Sequence, residues 1–161
     1  MRILKIGSFI LLGILAFSAC EKDDICIDAD TPRLVIRFYD AEDTTEFKEV
    51  PNLIVRGIGP SGLLDTIVNA ALDSIALPLR TDQISTSFAL RQTTLDTTNV
   101  DTLRISYQPK EIFKSRACGF IVNYEELEAT AQPDDTLWIQ RITIDTTTIS
   151  NSFSAHVKIF H

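Results

Sequence analysis

Between Arg33 and Tyr39 the chain alternates strictly, with Leu34, Ile36 and Phe38 on one side and Arg33, Val35, Arg37 and Tyr39 on the other. A period of two sends successive side chains to opposite faces of an extended backbone, so this run predicts a half-buried strand. The same alternation passes through Phe88 and Leu90 in residues 86–92 and through Leu103, Ile105 and Tyr107 in residues 102–108. Residues 53–58, 118–124, 138–144 and 156–160 are further strand candidates. In 118–124, Cys118, Phe120, Val122 and Tyr124 share one side, which predicts a central strand with Cys118 on the core face. Gly57, Gly59, Pro60 and Gly62 mark a turn. Residues 67–79 are harder. Ile67, Val68, Ala70, Ala71 and Leu72 would support one helical turn, but Asp73, Ser74 and Pro78 interrupt it, so two short extended pieces with a bend near Asn69 are expected. Residues 40–51, 93–101 and 146–154 read as polar loops. The sum is an all-β chain of about eight strands, an antiparallel β-sandwich or Greek-key barrel.

Ahead of the strands the pattern changes. Arg2 and Lys5 precede an apolar run from Ile6 to Phe17, 12 residues long and too short to cross a bilayer as a helix. This is the layout of a cleaved export signal. Ser18-Ala19-Cys20 at its end resembles a bacterial lipobox, which implies removal of residues 1–19 and acylation of Cys20, with the membrane as partner through that lipid. A plain secretory signal with a fortuitous Cys is the alternative. Residues 20–31 then form an acidic tether, and residues 32–161 form one domain. Glu21-Lys22-Asp23-Asp24 resembles the short lysine-acidic export signals of Bacteroidota lipoproteins, implying an outer-membrane address with the domain at the cell surface. An ordinary solvated tether would leave it facing the periplasm.

Losing Arg2 and Lys5 with the signal leaves 13 basic residues against 22 acidic, a net charge near −9. That sign repels phosphate backbones, so nucleic acid is not an expected partner. Of three cysteines, Cys26 and Cys118 remain once Cys20 carries lipid. An even pair in an exported protein reads as a disulfide. A reactive thiol or a metal pair is the alternative, although no Cys or His lies near either position in sequence.

Candidate chemistry is sparse. No Gly-x-Ser-x-Gly elbow is present, and His156 and His161, five apart on a strand, would point to opposite faces. No catalytic residue, metal site or cofactor is expected, so the chain reads as a non-enzyme. Asp23/Asp24 and Asp28/Asp30 lack the glycine turn and bidentate Glu of a calcium loop. Asp followed by Ser or Thr and then an apolar residue or Thr occurs seven times among 14 Asp residues, where random order would give about one. The tripeptide resembles the O-glycosylation acceptor of exported Bacteroidota proteins, which implies Thr44, Thr66, Ser74, Thr97, Thr102, Thr136 and Thr146 as candidates, with Thr44 and Thr97 favoured by their loops. The competing reading is structural, since Asp ends turns and Thr starts strands. Arg33, Arg37 and Tyr39 on one strand face, with Arg116 near Cys118, would form a patch for an anion or glycan, or else the solvated face of an amphipathic strand.

The segments Cys20-Glu21-Lys22-Asp23-Asp24-Ile25-Cys26, Thr31-Pro32-Arg33-Leu34, Phe38-Tyr39-Asp40, Leu77-Pro78-Leu79 and Ser115-Arg116-Ala117-Cys118-Gly119-Phe120 together resemble an uncharacterised Bacteroidota lipoprotein family, a domain of unknown function. The resemblance implies an anchored extracytoplasmic domain with a Cys26–Cys118 disulfide and carries over no activity. The expected function is a binding or structural module for an envelope protein or glycan, of undetermined oligomeric state. An enzyme or enzyme-inhibitor subunit whose residues converge only in three dimensions is the runner-up.

Overall fold

A computed structural model describes Cys26, residues 30–133 and residues 136–161. The signal (1–19), Cys20, most of the tether and the Asp134/Asp135 pair lie outside the described residues. The domain is all-β: β1 (Leu34–Tyr39), β2 (Val50–Gly59), β3 (Gly62–Leu72), β4 (Ser74–Leu77), β5 (Ser85–Thr93), β6 (Thr98–Ser115), β7 (Gly119–Ala131), β8 (Arg141–Ile144) and β9 (Val157–Phe160). They form a four-stranded sheet, β4-β1-β9-β8, and a five-stranded sheet, β3-β2-β5-β6-β7. Pairing is antiparallel except between β1 and β9, where Ile36 stands opposite Val157 and Tyr39 opposite Phe160 in parallel register.

The alternation predicts the core well. Leu34, Ile36 and Phe38 of β1 are fully buried, as are Leu53 and Val55 of β2, Leu90 of β5, Leu103 and Ile105 of β6 and Ile159 of β9. These side chains join in one cluster between the two sheets. Each fully buried aliphatic or Phe side chain contributes about 1.5–3 kcal/mol.

Polar contacts close the sandwich at two levels. Trp138 and Ile139 lie buried ahead of β8, where the sequence predicts strand. Trp138 Nε1 donates to the Leu90 carbonyl at 3.2 Å, the Ile139 amide donates to the buried Asp101 carboxylate at 2.8 Å, and Phe38 faces the Trp138 ring at 6.3 Å. This segment therefore ties β5 and β6 of one sheet to β1 of the other, and those cross-sheet contacts keep it off the regular ladder. Six residues along β6, about 20 Å away, Tyr107 and Tyr124 meet edge to face at 5.0 Å. Their hydroxyls donate to the Arg80 and Leu79 carbonyls, at 2.8 and 3.1 Å, fixing the chain that crosses from β4 to β5.

Several expectations need correction. Residues 93–101 form no open loop. The β-branched threonines carry the ladder on to Thr93 opposite Thr98, and a tight turn is held by the Thr94 amide on the Thr97 carbonyl at 2.8 Å. No bend occurs at Asn69. β3 runs through it, and the chain breaks at Asp73, where it changes sheets and its carbonyl accepts the Phe38 amide. β7 is an edge strand, not a central one, and Cys118 lies in the turn before it. Its edge is covered by the 146–154 segment: Tyr124 and Ile149 exchange backbone hydrogen bonds at 3.1 and 2.8 Å, and the Leu127 amide donates to Thr147. Such cover satisfies groups that would otherwise invite another strand.

The expected disulfide is present, linking Cys26 to Cys118 across 92 positions. A loop of that length contributes about 4–5 kcal/mol on the chain-entropy model.

Asp101→Ala should lower the unfolding free energy by about 1–3 kcal/mol, because the Ile139 amide would be left buried without its acceptor. Asp101→Asn keeps an acceptor oxygen and should cost less. Urea titration followed through Trp138 fluorescence measures both, and an Ala variant as stable as the parent would contradict this role.

Candidate functional site

The outer face of the small sheet gathers cations and aromatic rings. Its origin is local. Asp40, directly after β1, accepts the Glu42 and Asp43 amides at 2.7 and 3.2 Å and pairs with Lys48 at 2.8 Å. The Lys48 ammonium, reinforced by those two amides, holds the Asp40 carboxyl down at about 2. This folds the acidic 40–47 segment back so that Phe47 bridges to Tyr39. The expected solvated loop is thus an ordered turn that delivers an aromatic ring to the sheet.

Phe47, Tyr39 and Phe160 form a row, with centroids 5.1 Å apart for the first pair and 5.4 Å for the second. Cations lie against it. The Arg37 guanidinium carbon is 4.3 Å from the Phe47 centroid, Arg141 is 4.1 Å from Phe160, and the Lys158 ammonium is 6.0 Å from Tyr39. Rings attract cations through their quadrupoles, which keeps these long side chains extended across the face. Asp145 pairs with Lys158 at 2.6 Å and raises its pKa, while neither Arg37 nor Arg141 forms an ion pair among the described residues. Beside the row is an open concavity of about 560 Å³, lined in part by Arg37, Tyr39, Ser74, Asp145, Ser154 and Lys158.

The sequence-derived patch is divided by this geometry. Arg37 and Tyr39 belong to the site. Arg33 precedes β1 and borders a second concavity of about 730 Å³ with Lys114 and Asn151, while Arg116 occupies the β6–β7 turn. The exposed ring of Phe153 borders both concavities. Sequence reasoning missed Phe47, Arg141, Lys158 and Phe160. The alternation of Lys158 with Val157 and Ile159 was a usable signal, but the β1–β9 pairing that puts it beside Arg37 was not.

Of the candidate acceptor hydroxyls, Thr44, Thr66, Thr97 and Thr136 are on exposed residues, whereas Ser74, Thr102 and Thr146 are half-buried. Thr44 lies in the 40–47 turn and Thr97 in the β5–β6 turn.

Residues 52–161 match the model of a family of unknown function (DUF6452). The chain belongs to the DUF6452 family. The matched DUF6452 region begins within β2, so β1 and Cys26 precede it, and it includes Cys118, Arg141, Lys158 and Phe160. No curated protein and no solved structure matches the chain.

Both histidines of this DUF6452 protein are buried. His156 stands just ahead of β9, outside the strand in which it was expected, and its Nδ1 accepts the Val35 amide at 3.0 Å. His161 packs edge-on to Trp138 at 5.6 Å, with Nε2 3.2 Å from the Lys48 carbonyl. Burial lowers the pKa of each below the ordinary 6.5. The folded state therefore keeps them neutral while the unfolded chain binds protons, so their contribution is present above about pH 6.5 and is lost as pH falls from there. The urea midpoint should drop between pH 7.5 and 5, as flagged by that linkage, and His161→Phe should flatten the decline. A midpoint constant over that range would contradict the assignment.

Proposed function

We propose that this protein is a lipid-anchored outer-membrane lipoprotein of the Bacteroidota type, displayed at the cell surface, whose domain binds an anionic envelope glycan through the outer face of the small sheet. The observation that carries the binding reading is the set of three cations on three aromatic rings, Arg37 on Phe47, Lys158 near Tyr39 and Arg141 on Phe160, in a chain of net charge −7. A local positive face on an acidic protein favours ligands carrying carboxylate or sulfate over neutral ones. Guanidinium groups suit this role because their planar fork matches a carboxylate with two parallel hydrogen bonds. The adjoining concavity is open, which suits a polymer running across it.

Support for the anchor comes from the residues ahead of the domain. Arg2, Lys5, the apolar run and Ser18-Ala19-Cys20 have the order of a lipoprotein signal, and the acidic run after Cys20 has the character of a surface-export signal. The exposed turns carrying Thr44 and Thr97 suit O-glycan attachment.

Binding of hexuronate oligosaccharides, measured by calorimetry at low salt with neutral malto-oligosaccharides as control, tests the first reading. Binding should favour the uronates, weaken with salt, and fall at least about tenfold in Arg37→Glu and Arg141→Glu, as expected for loss of a charge-assisted contact. Equal binding of neutral and acidic sugars would overturn it, and turnover of the oligosaccharide would favour an enzyme instead. Intact mass of protein from its native membrane tests the second. A chain starting at Cys20 with acyl mass is expected, with further hexose-type increments located at Thr44 or Thr97. Free Cys20 would exclude the anchor, and a mass equal to peptide plus lipid would exclude the glycans.

A further inference from the structure

β6 is 18 residues long, yet β5 pairs with it only from Thr98 to Ser106. Beyond Tyr107, whose amide still donates to the Ile84 carbonyl, its strand neighbour among the described residues is β7, with pairs running on to Phe113 opposite Phe120 and Ser115 opposite Gly119. The two strands therefore leave the large sheet as a two-stranded arm. At its end Phe113 and Phe120, 56% and 66% exposed, meet across the ladder with ring centroids 5.2 Å apart. Lys114 and Arg116 are exposed beside them, and among the described residues the exposed acids nearby are Glu111 on the arm and Asp30, which borders the same concavity as Lys114. Lys110, further in, is already paired with Glu125 at 2.7 Å.

The turn of this arm holds Cys118, and Cys118 is bonded to Cys26. The Thr31 hydroxyl accepts the Val122 amide at 3.2 Å, so the incoming chain is fastened to the arm at a second point. Cys26 follows Cys20 by six residues, which span at most about 20 Å when fully extended. If Cys20 carries lipid, the arm's tip is confined within that distance of the bilayer surface.

We propose that the tip of the β6–β7 arm is a membrane-contacting element: Phe113 and Phe120 enter the headgroup region of the phospholipid bilayer that holds the Cys20 lipid, and Lys114 and Arg116 meet its anionic headgroups. The proposal rests on the anchor reading above for its geometry. Water-exposed aromatic rings gain by transfer to the interface, and cations beside them gain from a negative surface. The protein's overall acidity makes the placement specific, because most of its surface is repelled by anionic headgroups. Two Phe side chains and two cations supplement the lipid and, unlike it, fix orientation. The opposite end of β6, with the Thr94–Thr97 turn, then points away from the bilayer, about 55 Å from the tip along the strand.

The test uses the full protein with its native processing, added to phosphatidylethanolamine/phosphatidylglycerol vesicles with acyl chains brominated near the headgroup. Three variants are compared with the parent, whose Trp138 is buried and reports background. Phe120→Trp places a reporter at the tip, and Leu95→Trp places one at the fully exposed opposite turn. Phe120→Trp emission should shift to the blue and be quenched by the brominated lipid, Leu95→Trp emission should not, and Lys114→Glu in the Phe120→Trp background should weaken the quenching. The mass of the same sample reports acylation separately. An acylated protein whose Phe120→Trp emission is unquenched, or is quenched no more than that of Leu95→Trp, overturns the arm proposal and leaves the anchor standing. Quenching without acylation supports the arm and removes the anchor. Neither signal overturns both.

Discussion

The parallel pairing of β1 with β9 is the constraint on which the rest of the domain depends. It joins residues more than a hundred positions apart and is the one parallel strand pair among the described residues. Without it, β4 would pair only with β1 and β8 only with β9, and the small sheet would fall into two separate two-stranded pieces. With it, Leu34, Ile36 and Phe38 gain Val157 and Ile159 as neighbours, and a four-stranded sheet closes over the core of the large one. Such a long closure is entropically costly, which makes the burial of those five side chains the term that must exceed it.

The same pairing writes the chemistry of the outer face. Parallel register sets Arg37 opposite Lys158 and Tyr39 opposite Phe160, so side chains from the two ends of the domain become neighbours. Asp40 adds Phe47 by folding its own loop, and β8 adds Arg141. Core packing and the cationic face are therefore two sides of one strand pair. Burial specifies one side, and ring-to-cation contacts order the other. The long arm of β6 and β7 is the counterpart in the large sheet, where strands continue past their partners and leave Phe113 and Phe120 outside the core.

Much of this was legible in the sequence. The buried faces of β1, β5 and β6 follow from alternation, because side-chain direction along a strand has a fixed period. The Cys26–Cys118 bond follows from counting cysteines. Other features were illegible for identifiable reasons. Trp138 and Ile139 look like strand because they are apolar and bulky, but their burial comes from bridging two sheets through Asp101 and Leu90. The threonines of 93–101 read as loop because they are polar, although β-branching also suits them to a ladder. Phe120 shares its side of the strand with Val122 and Tyr124, and only the end of the neighbouring strand decides that it is exposed.

The sequence by itself determined the class of fold, the inward side of most strands, the covalent link and the acidic balance of the chain. These are local or compositional properties, fixed by the direction of each side chain relative to its own backbone and by the residues present. The tertiary structure alone decided which strands are edges, which aromatic rings meet which cations, and how far the Cys118 arm stands from the core. Those depend on pairing between distant segments, where many registers preserve the same local pattern and only the packing of the whole core selects one.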